Sequence, residues 1–258
     1  MRKLRDVLLL LGILLFVAIF GFALYKLITI YAEYQQGEEA YEELEDFVEK
    51  PQETEEDPEG QAEKEPDKEK FQVDFDGLKA VNPDVVAWIV IPGLDVSYPV
   101  VQGEDNAYYL HHLFTGEANS SGSIFVDCHN QPDFMDQNTI IYGHNMKNGS
   151  MFGTLDAYQD AAFWEDNPCF SIYVPGMFYE YRIFSCYAGK AGGTAYTYEF
   201  PEADDFKGFL EDIIGYAGYQ TGVTVTEKDQ VVTLSTCVNS SRSYRYIVHG
   251  KLEQRVAN

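Results

Sequence analysis

The sequence predicts a mainly β domain, a barrel or a sandwich with sparse helical decoration, carried behind an N-terminal membrane helix. Three observations predict it. Short runs rich in β-branched and aromatic residues recur through residues 71–258 and are punctuated by Gly, Pro and Asn. Helical periodicity is confined to two or three stretches of that region. Upstream, "VLLLLGILLFVAIFGFALY" runs from Val7 to Tyr25 without a charge.

Those 19 residues span about 28 Å at a helical rise of roughly 1.5 Å per residue, enough for the bilayer core. The run is longer than the apolar part of a signal peptide, and no A-x-A-like site follows it, so an uncleaved anchor over 7–30 is expected. Arg2, Lys3 and Arg5 outweigh Lys26 on the far side, which puts residues 1–6 in the cytoplasm and the remainder outside.

The chain carries a net charge of −24, of which −13 lies in residues 33–70, with 17 acids against 4 lysines. Within it "YQQGEEAYEELEDFVEK" places Tyr41, Leu44 and Phe47 on one weak helical face, and "PQETEEDPEGQAEKEPDKEK" has no aliphatic residue larger than alanine. Residues 31–70 are therefore expected to be an acidic stalk, its first part a helix continuing from the membrane and its second a solvated tether held extended by self-repulsion. Acidity of this kind also argues against nucleic acid as a partner.

From residue 71 to 258 a single folded domain is expected. Its candidate strands are Val85–Ile91, Tyr98–Val101, Ser123–Val126, Thr139–Tyr142, Phe170–Tyr173, Tyr179–Tyr187, Val223–Val225, Val231–Ser235 and Tyr244–Leu252. "VDFDGLKAVN" reads as a short helix stopped before Pro83. "EADDFKGFLEDIIGYAGY" reads as a longer one, with Phe206, Phe209, Leu210, Ile213 and Ile214 on one face.

Four cysteines, Cys128, Cys169, Cys186 and Cys237, are expected on the oxidising side of a membrane. The domain is long enough to fold without staples, and Cys169 and Cys186 sit in apolar strand-like runs where cysteine is a small hydrophobe. No two cysteines have zinc-ligand spacing, and no metal or cofactor is expected. His111, His112 and His249 read as surface or packing residues.

Two side chains have a different setting. His144 follows the apolar run and glycine of "NTIIYGHN", at the rim of a sheet. Cys237 ends "VVTLSTC", on the same side as Thr233 and Ser235 rather than with Val232 and Leu234. If this strand pairs antiparallel with Tyr244–Leu252 through "VNSSRS", Cys237 and Arg245 lie at the same end of the pair. Arg242, in the connection, is the rival cation.

A thiol attacks a carbonyl as thiolate, and an ordinary thiol with a pKa near ~8.5 is mostly protonated at neutral pH. An imidazole can take its proton and return it to a departing amine. A guanidinium can stabilise the oxyanion formed between those steps.

"NTIIYGHNM" followed by "MFGTLDAY", with "TLSTC" and the arginine of "RYIVHGKL", resembles the sortases, specifically class B. The resemblance runs from "LKAVNPDVVAWIVIPGLDVSYPVVQGEDNAYYL" through "SGSIFVD" to the C-terminus, and the anchor is shared too. It implies an eight-stranded β-barrel and a cysteine transpeptidase of the Gram-positive surface, with His144, Cys237 and Arg245 at the catalytic positions. It implies that the enzyme cuts a sorting motif near the C-terminus of secreted proteins and holds the motif as a thioester. The acyl group then passes to an amine of the lipid-linked peptidoglycan precursor. It further implies that thiolate and imidazolium coexist in only a small fraction of molecules. Ser235, Thr236, Tyr142 and Asn106 are expected to line the motif groove, Asn106 having a helix N-cap as its alternative role.

Competing readings are an L,D-transpeptidase, whose pattern of glycine before and arginine after the cysteine is broken here by Thr236 and Val238, and an anchored binding module with structural cysteines. A pilin polymerase would use a lysine of another subunit as acceptor.

Overall fold

A computed structural model describes residues 2–49, 71–238 and 241–258. The acidic stretch 51–70 and the side chains of Arg2, Lys3 and Arg242 lie outside the described residues.

Helix α1 runs from Arg2 to Glu42. Among the described residues its apolar half has no packing partner: Phe16 is 68% exposed, and Leu8 to Ile30 are similarly bare. Length and composition make it a candidate membrane span. Beyond it the surface changes. Tyr41 and the following 3₁₀ turn, Glu43–Phe47, dock on the globular part, where Tyr41 and Leu44 are 7% and 3% exposed. Tyr41 donates its hydroxyl hydrogen bond to the Gly122 carbonyl at 2.7 Å. Strand β1, Val48–Glu49, then pairs with β2, Gln72–Val73. The strands flanking the acidic stretch are thus paired, and packing begins well upstream of residue 71.

Helix α2, Phe75–Val81, starts where the Asp74 carboxylate accepts the Gly77 amide at 2.9 Å and stops at Asn82, ahead of Pro83. The barrel strands follow as β3 (Val85–Ile91), β4 (Val96–Val101), β5 (Ile124–Val126), β6 (Asn138–Tyr142), β7 (Cys169–Val174), β8 (Met177–Lys190), β9 (Val231–Val238) and β10 (Ser241–Ala257). They close in the order β10-β8-β7-β3-β4-β5-β6-β9, with β4–β5 and β6–β9 parallel and the other pairs antiparallel. Closure leaves no open edge. Ile141, Leu234 and Val248 share one face of the sheet, as do Ile89 and Ile172, and all five belong to one buried apolar core with Trp88 and Phe125.

Two further helices follow, α3, Ala161–Asp166, and α4, Ala203–Gly215. Helix α4 begins with a reciprocal cap between Glu202 and Asp205. It lays Phe206, Phe209, Leu210 and Ile213 over Phe184, Tyr187, Val231 and Ile247, with Ile214 partly buried beside them. Val223–Val225, expected as a strand, forms no ladder. Both valines pack against this same cluster, partly buried, with no strand pairing.

Beneath α4 runs a buried hydrogen-bonded chain. Thr233 Oγ1 donates to Asn138 Oδ1 at 2.7 Å and so accepts from His249 Nδ1 at 2.9 Å. His249 Nε2, the remaining nitrogen of a neutral ring, then accepts from the Tyr187 hydroxyl at 3.2 Å. Burial lowers the His249 pKa to about 3. Between that value and the ordinary ~6.5 the unfolded chain binds a proton that the folded chain refuses, so acid favours unfolding. The contribution of His249 is complete above pH ~6.5 and declines at up to about 1.4 kcal/mol per pH unit below it. Denaturant unfolding in detergent at pH 7 and pH 5 should therefore show a steeper acid loss for the natural chain than for His249→Gln. Equal losses would contradict this assignment.

Candidate active site

The rims of β6, β9 and β10 meet at one groove of about 340 Å³. Cys237, near the end of β9, is the cross-strand partner of Arg245 on β10. Directly paired residues project from the same face of a sheet, with Cβ atoms about 4.5–5.5 Å apart. His144 lies two residues beyond β6, whose neighbour is β9. Backbone pairing persists to the rim, where the Gly143 amide donates to the Ser235 carbonyl at 3.1 Å. All three side chains line the groove.

Each member is held locally. His144 Nε2 contacts the Leu110 carbonyl at 2.7 Å. A carbonyl only accepts, so Nε2 carries the proton and Nδ1 is the basic nitrogen of the neutral ring. The loop behind it folds closely: a Cβ on Gly122, whose φ is +57°, would lie 2.6 Å from the Tyr109 carbonyl and 3.0 Å from His144 Cδ2. Gly143 is similarly confined by Phe152, whose ring a Cβ would approach to 2.6 Å. Asn145, after the histidine, donates to the Cys237 carbonyl at 2.6 Å and ties the two rims together. Arg245 Nη1 donates to the Tyr244 carbonyl at 3.0 Å.

The four expected groove residues lie there as well. Ser235 Oγ is 2.7 Å from the Tyr196 hydroxyl. Thr236 Oγ1 is buried with no hydrogen-bond partner among the described residues. Tyr142 donates to Asp127 Oδ2 at 2.7 Å, and Asn106 Nδ2 donates to the same oxygen at 2.9 Å. Asn106 is not a helix N-cap: Ala107 holds that place before the 3₁₀ turn Tyr108–Leu110, and Asp105 Oδ1 accepts the amides of Ala107 and Tyr108, each at 2.8 Å. Sequence reasoning missed Tyr196, Leu110 and Asp127. Only Asp127 carried a signal, as the acid closing the apolar run of "SGSIFVD".

All four cysteines are free thiols. Burial pushes the Cys186 thiol up to about 12 and raises Cys169 as well; burial and then the Asp127 charge raise Cys128. These three are poor nucleophiles near neutral pH. Cys237 is the thiol set in the groove beside a cation and an imidazole, an arrangement suited to acyl transfer.

A sortase-domain model matches residues 89–253. The chain belongs to the sortase family, in class B. Sortase B of Listeria monocytogenes is 42% identical over 179 residues, 68% of this chain and 72% of that protein. Sortase B of Staphylococcus aureus is 30% identical over 252 residues, 97% and 98% of the two chains. The crystal structure of sortase B from Bacillus anthracis in complex with AAEK1 superposes with a TM-score of 0.73 at 32% identity, covering 87% of this chain and all of that one. The closed eight-stranded barrel is the sortase fold, and the protein is a cysteine transpeptidase that cleaves the sorting signals of surface proteins.

Proposed function

We propose that Cys237 is the nucleophile of this sortase, His144 its proton carrier and Arg245 its oxyanion stabiliser, and that the acyl acceptor is an amine of the lipid-linked peptidoglycan precursor. The observation that carries the assignment is the cross-strand pairing of Cys237 with Arg245 at the groove that His144 also lines.

Cys237 Sγ gives its proton to His144 Nδ1 and attacks the scissile carbonyl of the sorting motif. The carbonyl oxygen takes up the electron pair and is stabilised by Arg245. Collapse expels the amide nitrogen, which takes the proton from the imidazolium, and leaves a thioester on Cys237. The incoming amine attacks the thioester and yields its proton to His144. A new amide forms as the thiol is released. Asn106, Tyr142, Ser235 and Thr236 form the surface against which the motif lies.

Residues 1–6 lie in the cytoplasm, 7–30 cross the membrane, and the catalytic domain faces the wall. The basic flank at Arg2, Lys3 and Arg5 supports this orientation. Tethering raises the effective concentration of enzyme where exported proteins and lipid-linked precursor meet.

The test uses the full chain in detergent with sorting-motif peptides and three acceptors: a peptidoglycan stem-peptide amine, a lysine-bearing protein domain, and water alone. An amide product formed preferentially with the stem-peptide amine is expected. Preferential transfer to the protein lysine would make the enzyme a polymerase of protein subunits and overturn the acceptor assignment.

A further inference from the structure

We infer that Asp127 is a positioning residue of the groove, whose carboxylate fixes Tyr142 and Asn106 in the orientation that meets the backbone of an extended peptide. The inference rests on the reading of the groove as the sorting-peptide site.

Asp127 follows β5 directly and is 4% exposed. Its two oxygens take four donors. Oδ2 accepts from Asn106 Nδ2 at 2.9 Å and from the Tyr142 hydroxyl at 2.7 Å; Oδ1 accepts from the His129 amide at 3.0 Å and from His129 Nδ1 at 2.8 Å. Burial alone would raise its pKa, but these hydrogen bonds outweigh it and hold the carboxyl below its usual range, so it is ionised at neutral pH.

The consequence falls on the two groove residues. Asn106 Oδ1 accepts the Cys128 amide at 2.8 Å, so its side-chain amide cannot flip without placing donor against donor and acceptor against acceptor. One N–H and one lone pair of Asn106 remain for a peptide unit. The only proton of the Tyr142 hydroxyl is committed to Asp127, leaving its oxygen to accept from a peptide N–H. The Tyr142 ring stacks on Tyr196 with centroids 6.1 Å apart and planes within 7°, and Tyr196 reaches Ser235, two residues before Cys237. Asp127 is the fixed end of a chain of contacts that crosses the groove to the strand of the nucleophile.

The main chain at Asp127 is anchored apart from its side chain. Its amide donates to the Ile140 carbonyl at 2.9 Å, and its own carbonyl accepts from Gln102 Nε2 at 2.9 Å and from the Asn130 amide at 3.0 Å. A conservative substitution therefore keeps the loop while altering what it holds. Asp127→Asn must turn an NH₂ towards one of two donor pairs, and turning it towards Tyr142 and Asn106 releases both.

The test combines kinetics with a crystal structure of the full-length Asp127→Asn variant. In the natural background Asp127→Asn should raise KM for a sorting-motif peptide by about tenfold, with kcat changed by less than about twofold. In an Asn106→Ala/Tyr142→Phe background the same substitution should change KM by less than about twofold, because the groups it serves are gone. In the crystal, the Tyr142 ring and Asn106 amide should leave their present positions while Cys237, His144 and Arg245 keep theirs. Equal losses in both backgrounds, or unmoved Tyr142 and Asn106, would overturn the inference. If the natural chain fails to process any motif peptide, the functional reading falls, and the crystal still decides the role of Asp127.

Discussion

Cys237→Ala abolishes cleavage and transfer together, with a loss on the order of 10⁴-fold or more in kcat/KM, because no other thiol can take its place. Cys186 and Cys169 are held up by burial, and Cys128 by burial and the Asp127 charge. Peptide binding should survive in this variant, since Asn106 and Tyr142 are anchored on Asp127 and not on sulfur. The check is a pair of measurements on one preparation: turnover by chromatography, and peptide binding by fluorescence anisotropy. Residual turnover within a hundredfold of the natural chain would remove Cys237 from the mechanism.

Arg245→Ala costs about 10²–10³ in kcat, the range typical of a lost oxyanion donor. The loss is expected to fall on kcat more than on KM, because the oxyanion exists only in the transition state and the intermediates near it. Arg245→Lys should recover part of it: the ammonium supplies charge but not the planar fork of donors. Stability should barely change, since the side chain is half-buried at the rim and the barrel core begins at its neighbour Tyr246. A fall in KM affinity with kcat preserved would mark Arg245 as a peptide-binding group instead.

The legible parts of the sequence were those in which local pattern and tertiary context agree. Val231 to Cys237 alternates as a strand should, and its pairing with the run starting at Tyr244 puts Cys237 and Arg245 at the same end of the pair, where the barrel's register makes them direct partners. Helix α4 was legible because its apolar stripe is the stripe that the barrel's outer face buries. Val223–Val225 differs for a converse reason: valine and threonine alternate there, but the segment pairs with no strand and its valines pack, partly buried, against the cluster shared by α4 and the barrel.

The docking of residues 34–48 was obscured by charge. Tyr41, Leu44 and Phe47 are sparse among acids, and nothing in their spacing shows that Gly122 and Ser123 wait for the Tyr41 hydroxyl. Asp127 was illegible as a positioning residue because its partners lie 21 and 15 residues away, at Asn106 and Tyr142, and only the turn after β5 brings them together.

The most direct test of the central claim is intact and peptide-level mass spectrometry of the full chain after incubation with a sorting-motif peptide and no added amine. The expected result is one acyl adduct, mapping to Cys237, present at acid quench and lost on addition of hydroxylamine. An adduct on Cys128, or turnover of the peptide with no acyl-enzyme on any cysteine, would contradict covalent catalysis by the thiol paired with Arg245.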